Sequence, residues 1–170
     1  MDMRFREIME QHAERLIRVA YYYTKDLAIA EDIVQDVFLK FYQNQQKYTE
    51  QGELKAYLSR LTINQSKDYL KSWNYRKMRF QQKWVTPVDE NHSAEFVRKD
   101  EEALIGAAIM QLSMKQREVL AYYYFEEMTI VQISEILQIP QSTVKTRLRR
   151  SKELLRPKLE GIEWEVLLHE

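Results

Sequence analysis

The sequence predicts an all-α protein of two small helical domains joined by a flexible linker. Three observations lead there. The 170 residues contain only three Gly and three Pro, too few for the many tight turns of a β architecture. Apolar residues recur at spacings of three and four along most of the chain, the pattern of amphipathic helices. That pattern breaks in WVTPVDENHSAEF, where Pro87 disfavours helical geometry and the composition turns polar. The expected division is a first domain over 1–83, a linker over 84–99 and a second domain over 100–170.

The first domain opens with Phe5, Met9, His12, Leu16, Val19 and Tyr23 on one helical stripe. His12 has no Asp, Glu or His at ligand spacing on that face, so a packed histidine is expected rather than a metal ligand. Asp26 is placed to cap a second helix, 27 to about 43. Its apolar side is Ile29, Ala30, Ile33, Val34, Val37, Phe38 and Phe41. The opposite side carries Glu31, Asp32, Gln35 and Asp36, with Leu39 among them. A single exposed Leu is ordinary. Ringed by carboxylates, it also fits a docking site for a basic surface.

The polar loop over 44–52 bears Tyr48. A helix from 53 to about 73 is expected to bury Leu54, Tyr57, Leu58, Leu61 and Tyr69. Arg60, Asn64, Lys67 and Lys71 follow at spacings of four, three and four, which sets them on another stripe. Cations in such a row track phosphates, an amide reads a base edge, and Tyr48 stacks on a base, so the stripe suits single-stranded nucleic acid. A merely solvated basic face is the alternative. Residues 73–83 remain basic and aromatic.

The second domain is expected to start at an acidic helix containing Ala103, Leu104, Ala107, Ala108 and Met110. Ser113 and Gln116 have capping-box spacing ahead of Val119, Leu120, Tyr123 and Tyr124; Thr129 and Gln132 repeat it ahead of Ile130, Ile133, Ile136 and Leu137. The stretch 138–141 then turns, with Pro140 able to begin a new helix. In that helix Val144, Leu148, Ser151 and Leu155 share a narrow sector, and Ser142, Thr146 and Arg149 lie opposite, flanked by Lys145 and Arg150. Residues 140–158 hold Lys145, Arg147, Arg149, Arg150, Lys152, Arg156 and Lys158 against Glu153 alone. Hydroxyls near the helix start and guanidiniums beyond suit a DNA major groove, which makes 129–155 a candidate helix-turn-helix. Pro157 and Gly161 close the region, and Trp164, Leu167 and Leu168 of the tail are expected to pack back.

Lys and Arg number 26, equal to Asp and Glu. Position matters more than the sum. Residues 55–83 contain eight Lys or Arg and one acid, Asp68, while 89–102 contain six acids against Arg98 and Lys99. Two basic blocks with an acidic joint point to two nucleic-acid contacts. Cys is absent, which removes disulfides and thiolate metal sites. With no membrane-length apolar run and no signal peptide, a cytoplasmic protein is expected. No nucleophile, metal cluster or phosphate loop stands out, so neither catalysis nor a cofactor is expected. A dimeric helix-turn-helix regulator and a helical interaction protein are the rival readings.

From about residue 5 to 158 the chain resembles the extracytoplasmic-function class of bacterial sigma factors. AEDIVQDVF, 30–38, resembles the polymerase-binding helix of that family. This implies that Asp32, Gln35 and Asp36, with Glu31 and Leu39 on the same face, dock the β′ subunit of core RNA polymerase. YLSRLTINQSKDYLK, 57–71, is similar to the helix that reads the −10 element, which implies promoter contacts for Tyr48, Arg60, Asn64, Lys67 and Lys71. LSMKQREVL, 112–120, and the helix-turn-helix resemble the −35 domain, which implies DNA contacts for Ser142, Thr143, Lys145, Thr146, Arg149 and Arg150. Tyr57 replaces a common Trp, and Lys71 replaces a common Arg, losing the planar fork of a guanidinium. The resemblance further implies an anti-sigma factor as a partner.

Overall fold

The computed structural model describes residues 3–45, 54–80 and 100–164. Seven α-helices occur among them: α1 Met3–Thr24, α2 Leu27–Asn44, α3 Leu54–Phe80, α4 Asp100–Met110, α5 Met114–Tyr124, α6 Ile130–Leu137 and α7 Gln141–Leu155. A short 3-10 turn, Arg156–Lys158, follows α7, and the described residues include no strand. The chain forms two compact units, Met1–Ser93 and Ala94–Glu170. Tyr48, His92, the expected linker over 84–99, Leu167, Leu168 and His169 lie outside the described residues.

In the first unit α1, α2 and α3 pack on one another. Leu16, Val19 and Ala20 of α1, Ala30, Val34 and Val37 of α2, and Leu58 and Ile63 of α3 are all buried in the interior. Phe5 closes one end, edge-on to Phe38 and stacked on Phe41, each at 6.3 Å between ring centres. Asp26 caps α2 as its carboxylate accepts from the Ile29 N–H at 3.1 Å, a contact worth about 1 kcal/mol.

Two features of α3 differ from expectation. It continues to Phe80 instead of ending near Trp73, because neither Gly nor Pro interrupts 54–80. Its fully buried strip is Leu58, Ser59, Thr62, Ile63 and Ser66, with Leu54, Tyr57, Leu61 and Tyr69 only half-buried beside it. The three hydroxyls each donate to the carbonyl four residues earlier: Ser59 to Lys55 at 2.8 Å, Thr62 to Leu58 at 2.9 Å and Ser66 to Thr62 at 2.8 Å. That local bond removes the desolvation cost that would otherwise keep them out of a core, and small side chains let the helices approach.

In the second unit Ala108, Ile109, Leu112, Leu120, Leu155 and Leu159 form the core, with Ile105, Tyr124, Ile162 and Trp164 packed against it. The inward face of α4 is therefore Ile105, Ala108 and Ile109; Leu104 and Ala107 are exposed. In α5 the buried aromatic is Tyr122, whereas Tyr123 is exposed and Tyr124 half-buried. With α4 apolar nearly all round, the residues themselves do not say which side faces in; α5 and α7 decide it. Trp164 packs back as expected, stacked on Phe125 at 6.3 Å.

Both capping sites form. Gln116 accepts from the Ser113 N–H at 3.3 Å and from its hydroxyl at 2.8 Å. Gln132 accepts from the Thr129 N–H at 2.9 Å, and Thr129 Oγ1 accepts from the Gln132 N–H at 3.2 Å. Gln138 ends α6 with φ 53°, in the left-handed region, and the Ser134 hydroxyl donates to the Ile139 carbonyl at 2.6 Å. Pro140 stands at the N-cap of α7 with extended geometry, φ −59° and ψ 147°, one position earlier than the first helical residue.

Candidate functional site

Three charged faces emerge from this framework, two in the first unit and one in the second. On α2 the buried positions are Ala30, Ile33, Val34, Val37, Phe38 and Phe41. The helical repeat therefore turns Glu31, Asp32, Gln35 and Asp36 outward, and all four are exposed. Leu39 stands among them at 59% exposure. Among the described residues none of these four polar side chains forms a hydrogen bond or ion pair. A helix bearing unneutralised carboxylates around an apolar side chain has the makings of a protein contact: the charge attracts a basic partner and the Leu supplies apolar area.

The α3 stripe is less uniform than its spacing suggests. Arg60 and Asn64 are exposed, and among the described residues their side chains have no partner. Lys67 is half-buried, with its ammonium 5.8 Å from the centre of the Tyr23 ring. Lys71 is exposed, 3.9 Å from Asp68, a separation at which a surface pair contributes little. Arg60 and Asn64 are thus the groups most available to a ligand, and Lys67 is held partly back against α1. Lys40 of α2 donates to Gln65, linking α2 to α3 beside this stripe.

On α7 the buried set is Val144, Leu148, Ser151 and Leu155. Ser142, Lys145, Arg149 and Arg150 are exposed, and Thr143 and Thr146 are half-buried. The Thr146 hydroxyl donates to the Ser142 carbonyl at 2.9 Å. Arg149 reaches Glu153 one turn later at 2.7 Å. Lys145, Arg149, Lys152 and Arg156 line one groove together with Tyr123 and Tyr124, and the Lys152 ammonium lies 5.4 Å from the Tyr124 ring centre. Cations at such spacing on a short exposed helix, entered through a tight turn, suit phosphates and base edges in a major groove.

One α7 cation stands apart. Arg147, counted with the basic set in the sequence, turns inward and meets Glu118 of α5 at 3.4 Å, with 20% of the Arg147 side chain and 4% of the Glu118 side chain exposed. Arg117 of α5 is likewise buried and donates to the carbonyls of Met110 at 3.0 Å and Leu112 at 3.1 Å, fastening the end of α4. Sequence reasoning missed Arg117, Glu118 and the inward turn of Arg147. The available signal was a charged pair, Arg117-Glu118, standing directly ahead of the apolar run 119–124 of α5. Among the described residues no group of His, Asp or Glu could hold a metal ion, and no helix is long and apolar enough to cross a membrane.

Comparison with known proteins gives consistent matches. The Sigma-70 region 2 family model matches residues 8–75 and the Sigma-70 region 4 model matches residues 102–155. The ECF RNA polymerase sigma factor SigL of Mycobacterium tuberculosis is 30% identical, over 92% of this chain and 89% of its own length. SigW of Bacillus subtilis is 27% identical, over 93% of this chain and 90% of its own length. In fold, the chain is similar to RpoE from Bartonella quintana, solved with the anti-sigma factor NepR, with a TM-score of 0.74, 21% identity and coverage of 95% of this chain and 100% of that one. CnrH, solved with the cytosolic domain of CnrY, gives a TM-score of 0.64 at 18% identity over 94% of this chain and 89% of that one.

Proposed function

The chain belongs to the extracytoplasmic-function class of RNA polymerase sigma factors, and from that premise we infer how its charged faces divide the work. It is a sigma factor, directing core polymerase to promoters for transcription initiation. In our reading Glu31, Asp32, Gln35, Asp36 and Leu39 of α2 hold a basic surface of the polymerase β′ subunit. Arg60, Asn64, Lys67 and Lys71 of α3, with Tyr48, take the opened strand of the −10 element: cations follow phosphates, the Asn64 amide reads a base edge and the tyrosine stacks. An extruded base would cost a few kcal/mol to unstack, offset by those contacts. Ser142, Thr143, Lys145, Thr146, Arg149 and Arg150 of α7 enter the −35 major groove.

The observation that carries this reading is the α2 face. A helix-turn-helix protein that reads duplex DNA unaided has no use for a run of unneutralised carboxylates around an exposed Leu39. A subunit that reaches DNA only when bound to a larger machine does. The bond-making chemistry then belongs to the core enzyme, and this chain supplies specificity from the cytoplasm. An anti-sigma factor, the partner class named for the similar RpoE structure, belongs to the same reading as an inhibitor.

The test is run-off transcription on a genomic fragment library with purified core polymerase, with and without the chain. New transcripts sharing two upstream sequence elements, seen only when the chain is present, are the expected result. Binding of the chain alone to a single duplex site with equal strength and no transcript gain would replace this reading with that of an ordinary regulator.

A further inference from the structure

The outward residues of α7 read bases only if the helix is held at the right rotation about its axis. Much of what holds α7 is apolar: Val144, Leu148 and Leu155 are buried against the rest of the unit. Apolar contact is non-directional, so a helix seated on it alone tolerates small rotations. Side-chain tips lie about 5–6 Å from a helix axis, so a turn of about 10° moves them by roughly 1 Å, beyond the roughly 0.5 Å tolerance of a reading site. Two directional contacts across α5 and α7 restrict that motion. Arg147 meets the buried carboxylate of Glu118 at 3.4 Å. One turn on, the single Ser151 hydroxyl proton is shared between the Arg147 carbonyl of its own helix, 2.7 Å, and, as the longer branch, the Gln116 carbonyl of α5 at 3.3 Å. Arg147 lies between Lys145 and Thr146 on one side and Arg149 and Arg150 on the other, at the middle of the reading segment.

We propose that Glu118, acting through Arg147, sets the rotation of α7 and so the alignment of Lys145, Thr146, Arg149 and Arg150 with the bases. Arg147 is a positioning residue and touches no phosphate. The inference rests on α7 being the −35 reader.

Holoenzyme formed from core polymerase and the full chain tests it, on a promoter recovered from the run-off library. Binding to that promoter and to a copy with a scrambled −35 element is compared, across a series of salt concentrations, below the melting temperature of each variant. Glu118→Gln keeps the size of the side chain and removes its charge. Arg147→Lys keeps a phosphate-binding cation and loses the planar fork; it is the variant to rely on if Glu118→Gln fails to fold. Both are expected to lower the preference for the intact element by about fivefold or more, comparable to losing one base contact, with an unchanged salt dependence. An unchanged preference in a folded variant would reduce the ion pair to a stabilising contact and overturn the proposal. So would a loss spread equally over both promoters with a salt slope lower by about one ion, since that marks a phosphate contact. Lys145→Ala serves as the control for the premise. If it too leaves the −35 preference intact, α7 is not the reader; if it lowers the preference and the other two do not, only the positioning role fails.

Discussion

The exposed sides of α2 and α7 are both strongly charged, yet their charges are handled in opposite ways. On α2, Glu31, Asp32 and Asp36 project to solvent, and among the described residues no cation neutralises them. On α7, Arg149 is paired with Glu153, Lys152 lies over Tyr124, and Arg147 is drawn inside to Glu118. A face meant for a protein surface gains from unneutralised charge, because long-range attraction speeds encounter and the partner completes the pairing. A face meant for base edges needs its side chains fixed before DNA arrives, because discrimination depends on bond geometry more than on attraction. In our reading the Arg149–Glu153 pair supplies that fixation for one reading side chain, while Lys145 and Arg150 stay unpaired among the described residues; pairing also limits indiscriminate binding to phosphate, which rises with every free cation.

The largest expected effect follows from reversing charge on α2. Asp32→Lys should abolish co-purification with core polymerase and return run-off transcription to background, while the circular dichroism spectrum stays helical, since Asp32 has no internal partner among the described residues. Retained co-purification would take α2 out of the comparison altogether.

Next is the buried pair on the α7 side. Glu118→Ala should lower the stability of the second unit by about 3 kcal/mol in urea unfolding, because Arg147 would be left partly buried without its carboxylate. A change under about 0.5 kcal/mol would mean that water already satisfies the guanidinium.

Arg149→Ala should follow, with a loss of roughly 1–3 kcal/mol of −35 discrimination if Arg149 reads a base. Equal loss on all sequences would make it a phosphate contact. The exposed Arg149–Glu153 pair itself should contribute only about 0.3–0.5 kcal/mol to folding in a double-mutant cycle, so an effect of Glu153→Ala on promoter choice would reflect side-chain fixation and not stability.

The smallest effect marks the first unit independently of either face. Burial, helped by the nearby Arg15 and Lys55, holds the His12 pKa below its usual 6.5. Its stabilising contribution is therefore complete above about pH 6.5 and declines as pH falls through the lowered native value, where the unfolded chain takes up the proton first. His12→Gln should flatten that acid-side decline in a denaturation series. An unaltered pH profile would assign the decline to other groups.

How far the sequence could be read depended on contrast along each helix. In α2 and α7 apolar and charged positions alternate sharply at helical spacing, so the buried set of α7, that of α2 apart from the half-buried Ile29, and the outward position of Leu39 follow from periodicity alone. In α3 the contrast fails, because Ser59, Thr62 and Ser66 read as surface residues but bond to their own helix and pack inside. In α4, where Leu104 is exposed and Ile109 buried, the apolar residues surround the helix, and no periodicity selects a side.

By itself, then, the sequence determined that the chain is helical, the two capped starts at Ser113 and Thr129, the family, the outward acidic face of α2 and the buried face of α7. These are local matters, set by spacing and by bonds spanning three or four residues. Tertiary structure alone decided that Arg147 belongs to Glu118, that Arg117 fastens the end of α4, that Lys67 rests against Tyr23, and that Tyr122 rather than its neighbours fills the core. The Arg147–Glu118 and Lys67–Tyr23 contacts join residues far apart in the chain, and a charge in a sequence carries no mark of whether its partner is a phosphate, the solvent or a carboxylate on another helix.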